Sequence, residues 1–377
     1  MKAIINGRFI VPDETGRFTV EGGLALFFDE KIRAIRPAAT VSAAEREGLE
    51  ACIDAHGAYV SPGFLNVHIH GCVGADTMDD DTEAIRKMQL FQAKTGVTSF
   101  LPTTMTYDFP TLGRAFRHVR EAMAREEGAR VLGCHMEGPF ISPAKKGAQA
   151  EKNIAKADFA KIAPYQDIVK IITVAPEELP DGGQFIADCH AHGIVVSLGH
   201  TAADYATARQ AIEEYGAKHI THLFNAMTGL HQRHPGVVGA ALDTDANCEL
   251  IVDNVHIHPA AQRIVYRLKK DHLILITDSL RACGLGDGPS ELGGQKVFVK
   301  GTLATLEDGT IAGSVLCMND GLRIFRENTG APIEEVVTPV TKTPAKELGL
   351  YDELGSLSAG KNADITIFDD ALKIQRT

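Results

Sequence analysis

The chain has 377 residues, 44% of them hydrophobic and 23% charged, which is enough to bury a large core in a globular protein. Its 49 acidic side chains outnumber its 38 basic ones, and it has no Lys/Arg-rich run of the kind that binds phosphodiester backbones, so we expect no nucleic-acid partner. No stretch approaches the roughly 18 apolar residues of a membrane span, no signal peptide opens the chain, and the seven cysteines form no CxxC pair, so we expect a cytoplasmic protein with no membrane partner.

The two ends of the chain predict short β-strands. Residues 1–58 contain strand-like runs joined by turns, at 3–11, 18–28, 31–36, 51–53 and 58–60. Residues 355–377 contain another turn, followed by an alternating strand at 363–368. We expect the two ends to pair into one small β-sandwich domain.

Between residues 59 and 354, strand-like and helix-like stretches alternate. Helical spacing follows an acidic start at 79–81 and recurs at 204–215 and 259–270. Eight strands alternating with helices predict an α/β fold, a (β/α)8 TIM-like barrel over residues 59–354, since an open doubly wound sheet usually has fewer strands. The eight apolar runs lie at 65–69, 97–101, 131–136, 169–174, 194–198, 219–224, 249–252 and 273–276.

A His-x-His pair ends the first predicted barrel strand. Successive side chains of a strand point to opposite faces, so His68 and His70 share one face while Val67 and Ile69 occupy the other. The strand follows Pro-Gly and stops at Gly71, as a strand that delivers two imidazoles to a barrel mouth would do. The pair therefore suggests a metal site.

Other polar residues follow the later strands, where the chemistry of such barrels is found. Glu137 taken alone also fits a turn, and His200 or Asp278 taken alone fits a helix cap. Their common placement at strand ends favours one or two divalent-metal sites of mixed nitrogen and oxygen ligation. The residues concerned are Glu137, His200, His222, His256 and Asp278, and the sixth strand also leads into Asn225-Ala226.

Three histidine clusters are expected to lie outside the metal site. His190 and His192 flank a predicted helix end, where positions i and i+2 do not share a face. His258 precedes Pro259 and is expected to start a helix. In the segment from His231 to Gly236 the useful group is Arg233, whose guanidinium suits a phosphate, although a solvated loop arginine remains the alternative.

These motifs, in this order, resemble those of the N-acetylglucosamine-6-phosphate deacetylases of the amidohydrolase superfamily. The resemblance covers nearly the whole chain, and Glu-Gly-Pro is specific, because other amidohydrolases often place a carboxylated lysine there. The matching stretches are Pro-Gly-Phe-Leu-Asn-Val-His-Ile-His-Gly, Met-Glu-Gly-Pro-Phe with Lys-Lys-Gly-Ala after it, Ser-Leu-Gly-His-Thr, Thr-His-Leu-Phe-Asn-Ala-Met, Arg-His-Pro-Gly, Thr-Asp-Ser, Gly-Thr-Ile-Ala-Gly-Ser and Gly-Lys-Asn-Ala-Asp-Ile.

The resemblance implies metal-dependent removal of acetate from a sugar phosphate, in amino-sugar catabolism or recycling. It implies one or two divalent ions per subunit, from zinc, iron, manganese or cobalt, and a homodimer in which Arg233 reaches the neighbouring site. Asp278 would be the general acid/base and would lie near the second ion. Glu137, His200 and His222 would hold the principal metal, His68 and His70 a second one that shares Glu137, and Ala148, Asn225, Ala226, Arg233 and His256 would bind substrate.

Two positions depart from the family pattern. Asn254 stands where glycine is common, and Gln149 stands where some members have a histidine that contacts substrate. Both bear on the contacts to the sugar. A related branch acts on N-acetylgalactosamine 6-phosphate, and the sequence does not distinguish the two epimers.

Two further interpretations follow from the metal-binding pattern. The same ligands would serve another amidohydrolase, such as a cyclic-amide hydrolase or a deaminase, whereas Arg233 and the Asn225-Ala226 turn favour an anionic substrate. A barrel without catalytic activity would lack some of the ligands, and none is missing here.

Overall fold

The eight predicted strands form one parallel sheet in the computed structural model, which describes residues 1–181 and 183–377. Each strand pairs in parallel with its neighbour around the sheet, and a short extra strand, Arg130–Val131, also pairs with the second strand. The strands are Phe64–Ile69, Val97–Thr104, Cys134–Glu137, Val169–Val174, Val195–Leu198, His219–Ile220, Asn247–Ile251 and Leu273–Ile276.

The barrel closes where its eighth strand meets its first. The backbone N–H of Asp278 donates to the carbonyl of His68, and that of His70 donates to the carbonyl of Ser279, both at 2.9 Å. Gly71 lies at this seam, where a Cβ atom would come within 2.3 Å of a backbone oxygen and 2.9 Å of a backbone nitrogen. The predicted (β/α)8 barrel is therefore confirmed.

Helices surround the barrel, and two of them begin at aspartate caps within the stretches where helices were predicted. The carboxylate of Asp81 accepts the N–H of Glu83 at the start of Thr82–Lys94, and Asp204 caps Tyr205–Glu213 in the same way. The α-helices are Ala43–Glu47, Thr82–Lys94, Phe109–Met123, Gln184–Ala191, Tyr205–Glu213, Gly236–Leu242, Pro259–Lys269, Met318–Thr329, Ile333–Val337 and Lys342–Glu347. Short 3-10 helices occur at Ala38–Thr40, Pro143–Lys145, Glu151–Asn153, Phe159–Lys161, Ala163–Tyr165, Pro176–Glu178, Lys270–His272 and Thr338–Val340.

Two further sheets are formed by the chain ends, as predicted: strands from the first 62 residues enter both sheets, and those from the last 13 residues enter one. Apolar side chains from the two sheets, among them Ile4, Leu26, Phe9 and Ile367, share one buried cluster, so the sheets pack face to face. One sheet contains Lys2–Ile5, Leu24–Phe28, Ile32–Pro37 and Ala51–Asp54, and the other contains Arg8–Pro12, Phe18–Glu21, Tyr59–Pro62, Ile365–Phe368 and Ile374–Arg376.

The division of the chain at residues 58 and 355 remains a proposal. Strand Tyr59–Pro62 pairs with Arg8–Pro12 on one side and with Ile365–Phe368 on the other, so it belongs to the end sheet. This pairing would move the first boundary of the barrel to Gly63. Two predicted strands are also split, because Asn6 has a φ of 56° and Gly23 a φ of 71°.

Two elements differ from the sequence prediction. The sixth barrel strand was expected at 219–224 but ends at Ile220, because His222 and Phe224 take positive φ values of 30° and 80°. An antiparallel meander, which the sequence analysis did not predict, follows the eighth strand. It consists of Gly288–Leu292, Gln295–Lys300 and Leu303–Leu306, with the two-residue strands Gly71–Cys72 and Ala75–Asp76 forming a separate pair.

The core fills the barrel and the space between its strands and helices. Buried apolar side chains from every barrel strand form one cluster, and a smaller cluster joins the meander to Met105 and Leu280. Among residues 1–181 and 183–377 no helix is long and apolar enough to cross a membrane.

Candidate active site

A cavity of about 300 Å³ opens at the carboxyl ends of the barrel strands. The rim contains residues that follow the meander, such as Ile311 and Gly313, so this unpredicted sheet helps to enclose it. The lining residues are His70, Met105, Glu137, Gly147, Ala148, Gln149, His200, His222, Asn225, Ala226, His256, Asp278, Leu292, Thr310, Ile311 and Gly313.

The buried carboxylate of Glu137 lies at the centre of the polar cluster. Its Oε1 atom is 3.2 Å from Nε2 of His200 and 3.0 Å from Nε2 of His222. The two imidazole nitrogens are themselves 3.1 Å apart. Three residues from the third, fifth and sixth strands therefore converge on one point.

His68 and His70 reach the same carboxylate from the first strand. Nε2 of His68 is 3.5 Å from Oε1 of Glu137, and Nε2 of His70 is 3.3 Å from Oε2. Oδ1 of Asp278 lies 3.5 Å from the first of these nitrogens and 3.2 Å from the second. The structure thus brings together all six residues that the sequence analysis assigned to metal binding.

Hydrogen bonds on the far side of three imidazoles direct their Nε2 atoms into the cluster. Nδ1 of His200 and Nδ1 of His70 each contact a backbone carbonyl oxygen, at 3.0 and 3.2 Å. Nδ1 of His68 contacts Oε2 of Glu249 at 2.9 Å. Because these oxygens accept, Nδ1 carries a proton in each ring and Nε2 is the nitrogen that faces the cluster, where it can donate to a carboxylate when protonated or offer its lone pair to a metal, as in metal-binding histidines.

Ligand atoms of the right kinds are therefore close enough to hold a divalent metal. In the part of the chain that the structure describes, three groups each have ligand atoms within 4.8 Å of one another. Two of them, His68-His70-Glu137 and Glu137-His200-His222, make up this cluster. In the third group, His68-His135-Glu249, both ring nitrogens of His135 already contact protein oxygens at 3.0 and 2.7 Å, so it is better described as a hydrogen-bond network.

The cluster stabilises positive charge. Burial alone would raise the pKa of Glu137, but the charges of His200 and His68 and the hydrogen bonds from His200 and His222 hold that pKa well below its usual value. Burial lowers the pKa of His222, yet the hydrogen bond and charge of Glu137 raise it to about 9. A proton or a metal cation is favoured at this position for the same electrostatic reason.

The surroundings of Asp278 favour its ionised form. Burial raises its pKa, while the charge of His68 and the hydrogen bond from His70 lower it below its usual value. An ionised carboxylate at the edge of the cavity can accept a proton, which is the first requirement of a general base.

Three residues of the cluster have left-handed backbone conformations. The φ angles are 48° for His200, 30° for His222 and 46° for Asp278. Such conformations cost non-glycine residues on the order of 1–3 kcal/mol each and occur preferentially at functional sites. They turn each side chain from the end of its strand into the mouth.

Four of the five residues expected to bind substrate line the cavity: Ala148, Asn225, Ala226 and His256. The ring of His256 is fixed by Asp253, whose Oδ2 lies 2.7 Å from Nδ1. Nε2 of His256 is then the nitrogen that remains for a ligand.

Arg233 is not brought into the cavity of its own chain. It lies in the exposed segment 230–234, where its backbone N–H donates to Nδ1 of His231 at 3.3 Å. Its absence from the cavity lining fits either expectation from the sequence, a solvated loop arginine or a contribution to a neighbouring subunit.

The two departures from the family pattern have different consequences. Asn254 has a φ of 63°, a conformation that glycine and asparagine tolerate, and its side chain binds Gln262 and Asn328 away from the cavity. Gln149 lies inside, where its Nε2 donates to Oε2 of Glu137 at 2.6 Å and its Oε1 accepts the N–H of Thr106 at 2.7 Å. Gln149 therefore belongs to the cluster, whereas Asn254 does not.

The histidines expected to lie elsewhere do so. His190 and His192 are exposed at the end of helix Gln184–Ala191, and His258 caps helix Pro259–Lys269. The sequence analysis did not identify Glu249 and His219, which are buried below the cluster. The only sequence signal was one charged residue within an otherwise apolar strand run.

The chain was compared with known proteins. The model of the amidohydrolase family matches residues 59–377. The chain is 43% identical over 316 residues to the N-acetylglucosamine-6-phosphate deacetylase of Bacillus subtilis (strain 168), which covers 81% of this chain and 79% of that protein. It is 36% identical over 355 residues to the N-acetylgalactosamine-6-phosphate deacetylase of Escherichia coli O157:H7, covering 92% and 91%.

A solved structure is similar over the end sheets as well as the barrel. The N-acetylglucosamine-6-phosphate deacetylase from Pasteurella multocida superposes with a TM-score of 0.91 at 32% sequence identity. The superposition covers 99% of this chain and 96% of that one.

Proposed function

This chain belongs to the amidohydrolase family, and on that premise we propose that it hydrolyses the acetamide of N-acetylglucosamine 6-phosphate to glucosamine 6-phosphate and acetate. The observation that carries the proposal is the position of Asp278, whose Oδ1 lies 3.5 Å from Nε2 of His68 and 3.2 Å from Nε2 of His70, beside the cluster that Glu137 forms with His200 and His222. The high identity to curated deacetylases over most of the chain supports the same reaction. With this substrate, we propose a role in amino-sugar catabolism or recycling in the cytoplasm.

In our proposal Glu137, His200 and His222 hold the principal divalent metal, and His68 and His70 hold a second one that shares Glu137. Zinc, iron, manganese and cobalt all suit such mixed nitrogen and oxygen ligands. When bound, the metal supplies a water of lowered pKa and polarises the acetamide carbonyl.

The remaining chemistry is proton transfer by Asp278. An acetamide is a poor electrophile and an amine a poor leaving group, so a proton must leave the attacking water and reach the amide nitrogen. Asp278 accepts that proton and then donates it to the nitrogen as the C–N bond breaks. The products are acetate and the free amine of the sugar phosphate.

Substrate binding is proposed for residues around the rim. Asn225, the backbone of Ala226, His256 and Ala148 would contact the sugar. Arg233 would bind the phosphate of the neighbouring subunit's substrate, because it lies outside its own cavity and carries a guanidinium suited to an anion. A homodimer is therefore part of the proposal.

A second candidate substrate is N-acetylgalactosamine 6-phosphate. The 36% identity to a deacetylase named for that sugar favours it as the alternative. The two sugars differ only at C4, and both would present the same acetamide and phosphate to the site.

The deciding experiment measures free-amine release after metal reconstitution. We expect turnover of N-acetylglucosamine 6-phosphate, with weaker turnover of the galactosamine epimer and of unphosphorylated N-acetylglucosamine. A faster reaction with the epimer would favour the alternative substrate, and no amine release from any of the three would contradict the deacetylase proposal.

The second metal site gives a separate prediction. We expect the second site to be weaker than the principal one, because a shared Glu137 cannot give its full charge to both ions. The double variant His68→Asn/His70→Asn lacks two ligands of the second ion, so it should lose up to one metal equivalent per subunit and retain the other. Metal analysis of purified protein measures this. An unchanged metal content, or a protein without any metal, would contradict the assignment.

A further inference from the structure

A buried carboxylate, Glu249, lies directly beneath the cluster in the seventh barrel strand. Its Oε2 atom accepts two hydrogen bonds, from Nδ1 of His68 at 2.9 Å and from the backbone N–H of His222 at 3.0 Å. Its Oε1 atom accepts a third from Nε2 of His219 at 3.0 Å. One side chain thus contacts residues from the first and sixth strands at once.

The contacts of Glu249 bear on two different features of the cluster. Its bond to His68 keeps a proton on Nδ1, so Nε2, which faces Glu137 and Asp278, is the nitrogen that can bind a metal. Its bond to the N–H of His222 anchors the backbone of that residue, which has a φ of 30°. This turn directs the imidazole of His222 into the cavity. The backbone carbonyl of Glu249 also accepts the N–H of Leu223 at 2.9 Å. Two hydrogen bonds to Glu249 therefore stabilise the same turn.

The network continues away from the cavity. Nδ1 of His219 lies 3.2 Å from Oε1 of Glu347, which ends helix Lys342–Glu347. The ring of His219 therefore contacts two carboxylates, those of Glu249 and Glu347. Its Nε2 is the donor to Oε1 of Glu249. Glu347 itself contacts neither His68 nor His222, which makes it a useful control.

We propose that Glu249 is a positioning residue that sets the metal affinity of both halves of the cluster, by fixing the proton of His68 and the backbone of His222. The inference rests on the proposed metal site. It assigns no contact between Glu249 and the metal or the substrate.

The test is the substitution Glu249→Gln with Glu347→Gln as the matched control. Glutamine keeps the size of the side chain but removes its negative charge, and its single acceptor oxygen has two lone pairs, so at least one of the three hydrogen bonds is lost and those that remain are weaker. Changes to groups that orient metal ligands typically lower metal affinity by about 10- to 100-fold. We expect Zn²⁺, titrated against a chromophoric chelator, to bind Glu249→Gln more weakly by this factor, first at the ion next to His68, while Glu347→Gln changes less than about threefold.

A purely structural role would give a different result. Both variants would then lose thermal stability in the metal-free state, while Zn²⁺ affinity stayed at the level of the unaltered protein. Unchanged affinity in Glu249→Gln, or an equal loss in Glu347→Gln, overturns the proposal. These titrations do not involve hydrolysis, so they are independent of the amine-release assay that tests the proposed function.

A second measurement needs no variant and applies even if Glu249→Gln does not fold. In the Zn²⁺-loaded protein with ¹⁵N-labelled histidine, the ring nitrogens of His68 should show a protonated Nδ1 and a metal-bound Nε2. A proton on Nε2, or metal on Nδ1, overturns the proposal, because Glu249 would then not set the tautomer.

Discussion

Asp278→Asn is expected to lower kcat for acetamide hydrolysis by about 10³- to 10⁴-fold, the upper part of the range for losing general acid/base catalysis. Asparagine keeps the shape of the side chain but can neither accept the proton of the attacking water nor donate it to the amide nitrogen. One residue serves both halves of the reaction in our proposal, so the loss should appear in kcat more than in KM. Steady-state kinetics with the metal content measured on the same sample will show this.

The control for this variant is Asp364→Asn. Asp364 is a half-buried carboxylate that pairs with Arg130 at 2.6 Å, far from the cavity lining, so the same chemical change should leave kcat nearly unaltered. If Asp278 acted only as a cap, asparagine would replace it with little effect on rate or stability. A kcat within about tenfold of the unaltered protein, with the principal metal bound, would place the base elsewhere.

Arg233→Ala is expected to lower kcat/KM for the phosphorylated sugar by roughly ten- to a hundredfold, while the unphosphorylated sugar is hardly affected. A hydrogen bond to a charged group contributes about 1.5–3 kcal/mol, which corresponds to that loss. Arg267→Ala is the control, because Arg267 is another exposed arginine outside the cavity. Equal losses with both sugars would mean that Arg233 has a structural role.

A mixing experiment separates a contribution across a dimer from one within the chain. Mixed subunits of Arg233→Ala and Asp278→Asn would form heterodimers with one site that has both an intact Asp278 and an intact neighbouring Arg233. Partial recovery of activity is expected after mixing. No recovery, with exchange of subunits verified, would mean that each Arg233 serves its own chain.

The barrel could be predicted from sequence because buried parallel strands are continuous apolar runs separated by helical spacing. The meander at residues 288–306 was not predicted, because its first strand, Gly-Pro-Ser-Glu-Leu, has little strand character, although the second, Gln-Lys-Val-Phe-Val-Lys, alternates between buried and exposed residues. The split of the first predicted strand depends on which sheet each half joins. Residues Lys2–Ile5 and Arg8–Pro12 enter different sheets, and a local pattern carries no such information.

The candidate site was predictable as far as it depends on strand ends. His68, His70, Glu137, His200, His222 and Asp278 all lie at or just beyond the ends of apolar runs, and parallel strands bring their carboxyl ends together. Glu249 was not predicted because it lies at the start of its run, away from the carboxyl end, and its burial with three hydrogen-bond donors cannot be read from the neighbouring residues. Arg233 was predicted, but a single chain leaves open which cavity it serves.

The pairing of the eighth barrel strand with the first also affects the order in which the site is completed during protein synthesis. The N–H of Asp278 and the carbonyl of His68 meet there, although about two hundred residues of chain separate them. During synthesis, all five proposed metal ligands of the cluster are translated before Asp278, so a nascent chain has the proposed metal ligands before it has the proposed general acid/base. In our proposal, hydrolysis becomes possible only after the final barrel strand has been translated and has closed against the first. We therefore expect no turnover from a protein cut short before that strand.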